Sequence, residues 1–208
     1  MRSRVVAAVV APLLWNNWLL PRLALNRRGR TVSGALAATG YAVVFGGRPN
    51  WFSGRGIRAG LVCAAVVGTG FAAASAIPAV RRSLAGAGDR AADVSTVEWT
   101  AVHIPLGTVY TEELIFRATL DPLLDKELGT GSGTVLGAAA FGLWHIHPAR
   151  AAGDGVIATV AFTGFAGLVF GTVRRWTDSA TTPAMLHWAV NAGGVLLSRS
   201  SSAVVAGG

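Results

Sequence analysis

Two adjacent glutamates, two histidines and an asparagine interrupt otherwise apolar stretches of this chain: Glu112 and Glu113 with Arg117, His145, and His187 with Asn191. An ionisable side chain in hydrocarbon is costly unless it is paired or faces water, so each is a functional candidate. Glu113 and Arg117 stand four residues apart, share a helix face and can form an ion pair. Glu112 points about 100° away from its neighbour. One carboxylate is thereby balanced by arginine, while the other is left to act on something bound. His145 follows Phe141 by four residues and Asn191 follows His187 by four, so each pair lines one face of a helix. An acid, two imidazoles and an amide on three segments form a water-activating constellation. His103 is unaccompanied and His147 precedes Pro148 at a helix end, so both read as structural or interfacial.

The elements that position these groups must lie in lipid. Of 208 residues, 52% are hydrophobic and 13% charged, with a mean hydropathy of +0.50. Ordinary globular chains carry about 25% charge. That deficit excludes an intrinsically disordered chain and speaks against a soluble enzyme. The net charge of +8 is almost all arginine, with Lys126 the single lysine. The arginines cluster between apolar runs, where they meet lipid phosphates, and form no basic stripe with interleaved aromatics. No nucleic-acid partner is expected. Cys63, the single cysteine, lies within an apolar run and leaves no disulfide framework or thiolate metal site.

The apolar runs predict an all-α polytopic membrane bundle of about seven transmembrane helices: 5–20, 32–46, 59–80, 97–120, 132–148, 156–173 and 183–198. The first, preceded by Arg2 and Arg4, reads as an uncleaved anchor, because Asn16 and Asn17 interrupt it and no small-residue cleavage site follows. Residues 81–93 form the linker between the halves. Residues 121–128 are amphipathic and interfacial, and a turn occupies 129–133. Three domains result: 1–94, with three helices of undetermined role; 95–200, the helical core with four, which carries the candidate residues; and 201–208, a short tail. Counted from Gly131, Glu112 lies 19 residues back and His145 14 forward, so a break at Pro122 must absorb about 7 Å for them to be level. Small residues at four-residue spacing, as in Gly133–Gly137 and Gly167–Gly171, read as intramolecular helix packing, and no oligomeric state follows from them. Arginine and lysine divide almost evenly between the two sides and leave orientation open.

Thr111-Glu112-Glu113-Leu114-Ile115-Phe116-Arg117 matches EExxxR, Phe141-Gly142-Leu143-Trp144-His145 matches FxxxH, and His187-Trp188-Ala189-Val190-Asn191 matches HxxxN. In this order they resemble the CPBP-family intramembrane proteases, which include CAAX-processing and bacteriocin-processing or immunity proteins. The resemblance covers about half the chain, from 97 to 198, and the first three spans add nothing to it. It implies an intramembrane endopeptidase with Glu112, His145, His187 and Asn191 as catalytic residues and Glu113, Arg117 and Phe141 in support. The expected partners are a membrane-associated peptide, either CAAX-type or bacteriocin-like, and the lipid bilayer. The expected location is the plasma membrane of a prokaryote.

Peptide hydrolysis in a membrane needs a water, a base and donors for the oxyanion. Glu112 fits the base, His145 the group that holds the water and later protonates the leaving nitrogen, and His187 with Asn191 the oxyanion donors. No cofactor is required on this reading. The rival is zinc held by Glu112, His145 and His187, a common catalytic ligand set, although HExxH spacing is absent. A proton-coupled transporter would use the same residues as a relay, but no internal repeat supports it. A catalytically inert membrane binding or immunity protein would use the same pocket without chemistry.

Overall fold

Asn26, Ser53 and Ser95 each begin a helix by accepting a backbone N–H three residues on, at 2.8 Å from Gly29, 3.1 Å from Gly56 and 3.1 Å from Glu98. The computed structural model describes residues 2–85 and 93–206, and these are all-α, with no strand among them. Helix α1 spans 2–22, with a π-wound turn at Trp15–Leu19; α2 is Arg27–Phe45, α3 Gly54–Ser75 and α4 Pro78–Ala85. Helix α5 runs unbroken from 96 to 128 through two π-wound stretches, Trp99–Tyr110 and Glu113–Leu120. Then follow α6 Thr130–Trp144, α7 Ile146–Ala152, α8 Val156–Thr177 and α9 Thr181–Ala206.

The protein is an all-α membrane helical bundle. Among the described residues three helices are long and apolar enough to cross a bilayer: Ser3–Arg22, Gly54–Ser75 and Val156–Thr177. Several sequence boundaries move. The third span ends at Ser75 instead of 80, because Pro78 starts a separate helix. The span expected over 132–148 breaks at His145. The turn expected over 129–133 contracts to Gly129, whose φ of 79° and ψ of 155° only glycine adopts easily. The tail expected from 201 is helical as far as Ala206. Of the expected linker 81–93, residues 86–92 lie outside those described.

No break occurs at Pro122. It falls within the first two residues of the α-wound segment Asp121–Leu128, where the π-wound stretch hands over and the Asp121 N–H reaches back to Phe116 O. The threonine hydroxyls follow the same five-residue step, Thr111 to Leu106 O at 3.0 Å and Thr119 to Leu114 O at 2.7 Å. Wider winding shortens the helix per residue and so takes up part of the depth difference that a break was expected to absorb.

Helix α3 lies along α9, α2 along α5, and α6 is held between α8 and the last two turns of α5. Glycines set these approaches. Gly137 faces Asp121, Gly133 faces Asp125, Gly167 faces Phe141 and Gly60 faces Met185, so much of the small-residue spacing serves intramolecular packing. At the start of α5, Arg27 closes on Asp93 at 2.6 Å, and its hydrogen bond holds that exposed carboxyl below the usual carboxylate range.

Gly142 gives the sharpest packing test. A Cβ there would sit 2.7 Å from the Val160 carbonyl oxygen and 3.3 Å from the Gly164 backbone, neither of which can rotate away. Gly142→Ala is expected to cost about 1–3 kcal/mol in unfolding from detergent micelles. Gly68→Ala, with nothing within 4 Å, is the control and should leave stability unchanged or raise it. Equal melting of both variants with the parent would show that α6 and α8 are not in this contact.

Candidate active site

Glu112 and Glu113 sit on α5 where its two π-wound stretches meet, with exposures of 6% and 0%. Pi-winding inside a long helix is frequently found at functional sites. The two carboxylates part company as their helical positions require. Glu112 turns toward α6 and α9, whereas Glu113 turns into the protein toward Arg117 and His187.

The Glu112 oxygens are not equivalent. Oε1 accepts the indole N–H of Trp144 at 3.1 Å, which fixes the carboxylate plane. Oε2 is buried and has no hydrogen-bond partner. It faces His145 Nε2 at 3.8 Å and His187 Nε2 at 3.9 Å. These separations exceed a hydrogen bond, and one further oxygen about 2.8 Å from both members of either pair would satisfy them.

The other ring nitrogens decide what the Nε2 atoms offer. His145 Nδ1 lies 2.8 Å from the Phe141 carbonyl oxygen, which can only accept, so Nδ1 carries the proton. Neutral His145 therefore presents an Nε2 lone pair toward Glu112. His187 Nδ1 lies 2.8 Å from Glu113 Oε1 and donates to it. His187 Nε2 then faces Glu112 Oε2 at 3.9 Å, with no hydrogen bond between them.

Arg117 is fully buried and serves two acids. Its Nε stands 3.5 Å from Glu113 Oε2, and its Nη1 donates to Asp121 Oδ2 at 3.2 Å. The guanidinium lies 4.6 Å from the Phe141 ring centroid and 5.7 Å from that of Phe170. Phe141 also packs edge-on to His145, with centroids 5.0 Å apart, and Phe170 stacks on His187 at 4.9 Å. One aromatic wall thus holds the arginine and both imidazoles.

The structure brings Glu112, Glu113, Arg117, Phe141, His145 and His187 into one cluster. Asn191 is half-buried one turn beyond His187 on α9 and makes no side-chain hydrogen bond among the described residues. His103 lies outside the cluster, held by Thr31 Oγ1 at 2.7 Å and Glu98 Oε1 at 3.2 Å. His147 donates its backbone N–H to Asn17 Oδ1 at 2.8 Å.

Sequence reasoning missed Trp144, Asp121, Phe170, Asn16 and Asn17. Asp121 had a usable signal, since it follows Arg117 by four residues as Arg117 follows Glu113. Trp144 had none beyond adjacency to His145.

The donor set Glu112, His145 and His187 matches zinc in kind, and each Nδ1 has the partner that ligating imidazoles usually have. Glu112 Oε2 stands 3.8 Å from His145 Nε2 and 3.9 Å from His187 Nε2. Among the described residues no three histidine, cysteine, aspartate or glutamate side chains converge as ligands would.

A buried carboxylate, a buried histidine and a half-buried one thus face one another among apolar helices. Residues 94–193, just under half of the chain, match the family model Rce1-like, described as Type II CAAX prenyl endopeptidase Rce1-like, and this part of the chain is similar to that protease family. That similarity, together with the apolar helices, supports reading the chain as a membrane protease. No curated protein and no solved structure matches the chain.

Proposed function

We propose that this chain is a multi-pass endopeptidase of a prokaryotic plasma membrane that cleaves membrane-associated peptides, with a prenylated CAAX-type C terminus as substrate. The observation that carries the reading is the buried, unpartnered Glu112 Oε2 facing the Nε2 atoms of His145 and His187. A water there donates to Glu112 Oε2 and to the lone pair of His145 Nε2, which orients its own lone pair toward a bound carbonyl.

Glu112 takes one proton as the water oxygen bonds to the scissile carbon. The carbonyl oxygen becomes an oxyanion and receives hydrogen bonds from the Asn191 amide and from His187 Nε2–H. His187 donates in its doubly protonated form, which Glu113 stabilises through Nδ1. As the C–N bond breaks, the proton passes through His145 to the leaving nitrogen. Glu113, Arg117 and Phe141 position these groups without touching the reacting atoms. No step uses a metal.

The test is cleavage of an internally quenched, farnesylated CAAX-type peptide by the full chain in lipid vesicles. Cleavage should persist after exhaustive chelation. Activity lost on chelation and restored only by zinc overturns the metal-free mechanism. Preferential cleavage of unprenylated membrane peptides overturns the substrate class.

A further inference from the structure

His145 is the last cap of α6 and the first cap of α7 at once. Its backbone, at φ −89° and ψ 6°, lies in the sparsely populated bridge region where active-site residues recur. A helix end leaves carbonyls unpaired and a helix start leaves N–H groups unpaired, so a hinge between two helices collects both kinds. Here the missing partners come from α1. Asn16 Nδ2 donates to Trp144 O at 2.8 Å, Asn17 Nδ2 donates to Leu143 O at 3.0 Å, and Asn17 Oδ1 accepts the His147 N–H at 2.8 Å.

The three bonds bracket the hinge residue from both sides. They hold the carbonyls of the two residues before His145 and the amide of the second residue after it. Trp144, whose indole orients Glu112, is one of the residues held. Asn16 is buried at 8% exposure, and the π-wound turn at 15–19 widens the helix where the two consecutive amides face the hinge. Polar groups of this kind are expensive in a membrane helix, yet α1 carries two side by side. Both lie outside the part of the chain that the family model matches.

We infer that Asn16 and Asn17 are positioning residues of the active site, clasping the α6–α7 hinge so that His145 Nε2 and the Trp144 indole are both held against Glu112. The catalytic part of this statement rests on the endopeptidase reading above; the clasp itself does not. Helix α1 is then a working part of the site.

The test uses the full chain, labelled with ¹⁵N at histidine and asparagine, in lipid nanodiscs. In the parent protein the side-chain amides of Asn16 and Asn17 should be protected from hydrogen exchange, and His145, assigned by loss of its signal in His145→Gln, should show the single Nδ1–H tautomer. Freely exchanging amides overturn the clasp without any variant. In Asn17→Asp, which keeps an acceptor for His147 N–H and loses the donor, and in Asn16→Ala, the His145 signal should broaden or average between tautomers. On the prenylated peptide kcat should fall by on the order of 10²-fold with KM nearly unchanged, as a displacement of about 1 Å produces. Trp18→Leu, on the same turn but facing outward, should change none of these readings. A folded variant with an unaltered His145 signal, or with kcat retained, overturns the proposal. If the parent cleaves no prenylated peptide, the endopeptidase reading fails while the histidine spectrum still decides the clasp.

Discussion

Glu112→Gln should abolish peptide cleavage, lowering kcat by about 10²–10⁴-fold, the contribution usual for a positioned general base. The amide is the informative replacement. Its oxygen can still accept the Trp144 indole N–H, as Oε1 does at 3.1 Å, and its nitrogen can donate toward the lone pair on His145 Nε2, 3.8 Å from Oε2. The site therefore keeps its shape, and the capacity to take a proton is lost. KM and melting temperature should stay near parental values. An inert membrane scaffold would retain its cellular phenotype with this variant. A Glu112→Gln protein that cleaves at more than a tenth of the parental rate would remove Glu112 from the mechanism.

The parts of this site that were legible in the sequence are those governed by short helical spacing. Glu113 meets Arg117 because four residues make a turn, and Glu112 diverges because one residue does not. The helices themselves follow from long apolar runs between arginine clusters. What escaped depends on contacts between helices that are distant in sequence. Asp121 carries the marks of an interfacial segment, with Pro122, Asp125, Lys126 and Glu127 following it, yet it is 1% exposed. Gly137 on α6 makes room for its carboxylate, and Arg117 pairs with it. Trp144 reads as one more apolar residue until its indole nitrogen is seen against Glu112. Asn16 and Asn17 read as flaws in an anchor helix, because the carbonyls they serve lie more than 120 residues away. The π-winding of α5 has no sequence signature at all, since the same residues could adopt either hydrogen-bond frame and packing selects between them. Glu113 was read as the partner of arginine alone, and its bond to His187 Nδ1 couples the buried ion pair to the reacting group.

That coupling makes Arg117→Met the largest expected loss of stability. Arg117 has no exposed surface, and both carboxylates beside it, Glu113 and Asp121, are buried with it. Methionine fills much of the volume and keeps contact with Phe141 and Phe170, so the substitution isolates the charge. Removing one partner of a buried network leaves uncompensated charges and costs about 3–5 kcal/mol. Unfolding of the full chain from mixed micelles should show that loss. Arg117→Lys should recover only part of it, because a single ammonium cannot fork between two acids or lie flat against an aromatic wall. The decisive comparison is Arg117→Met combined with Glu113→Gln and Asp121→Asn. Neutralising the acids removes the charges that methionine left unpaired, so the triple variant should be more stable than Arg117→Met alone. It should nevertheless remain inactive, since Glu113→Gln withdraws the carboxylate that stabilises the second proton on His187. A single Arg117→Met variant that unfolds within about 1 kcal/mol of the parent, the range of an exposed pair, would show that the arginine is not holding these acids. Recovery of stability without recovery of cleavage would separate the two roles of Glu113, balancing Arg117 on one oxygen and orienting His187 with the other.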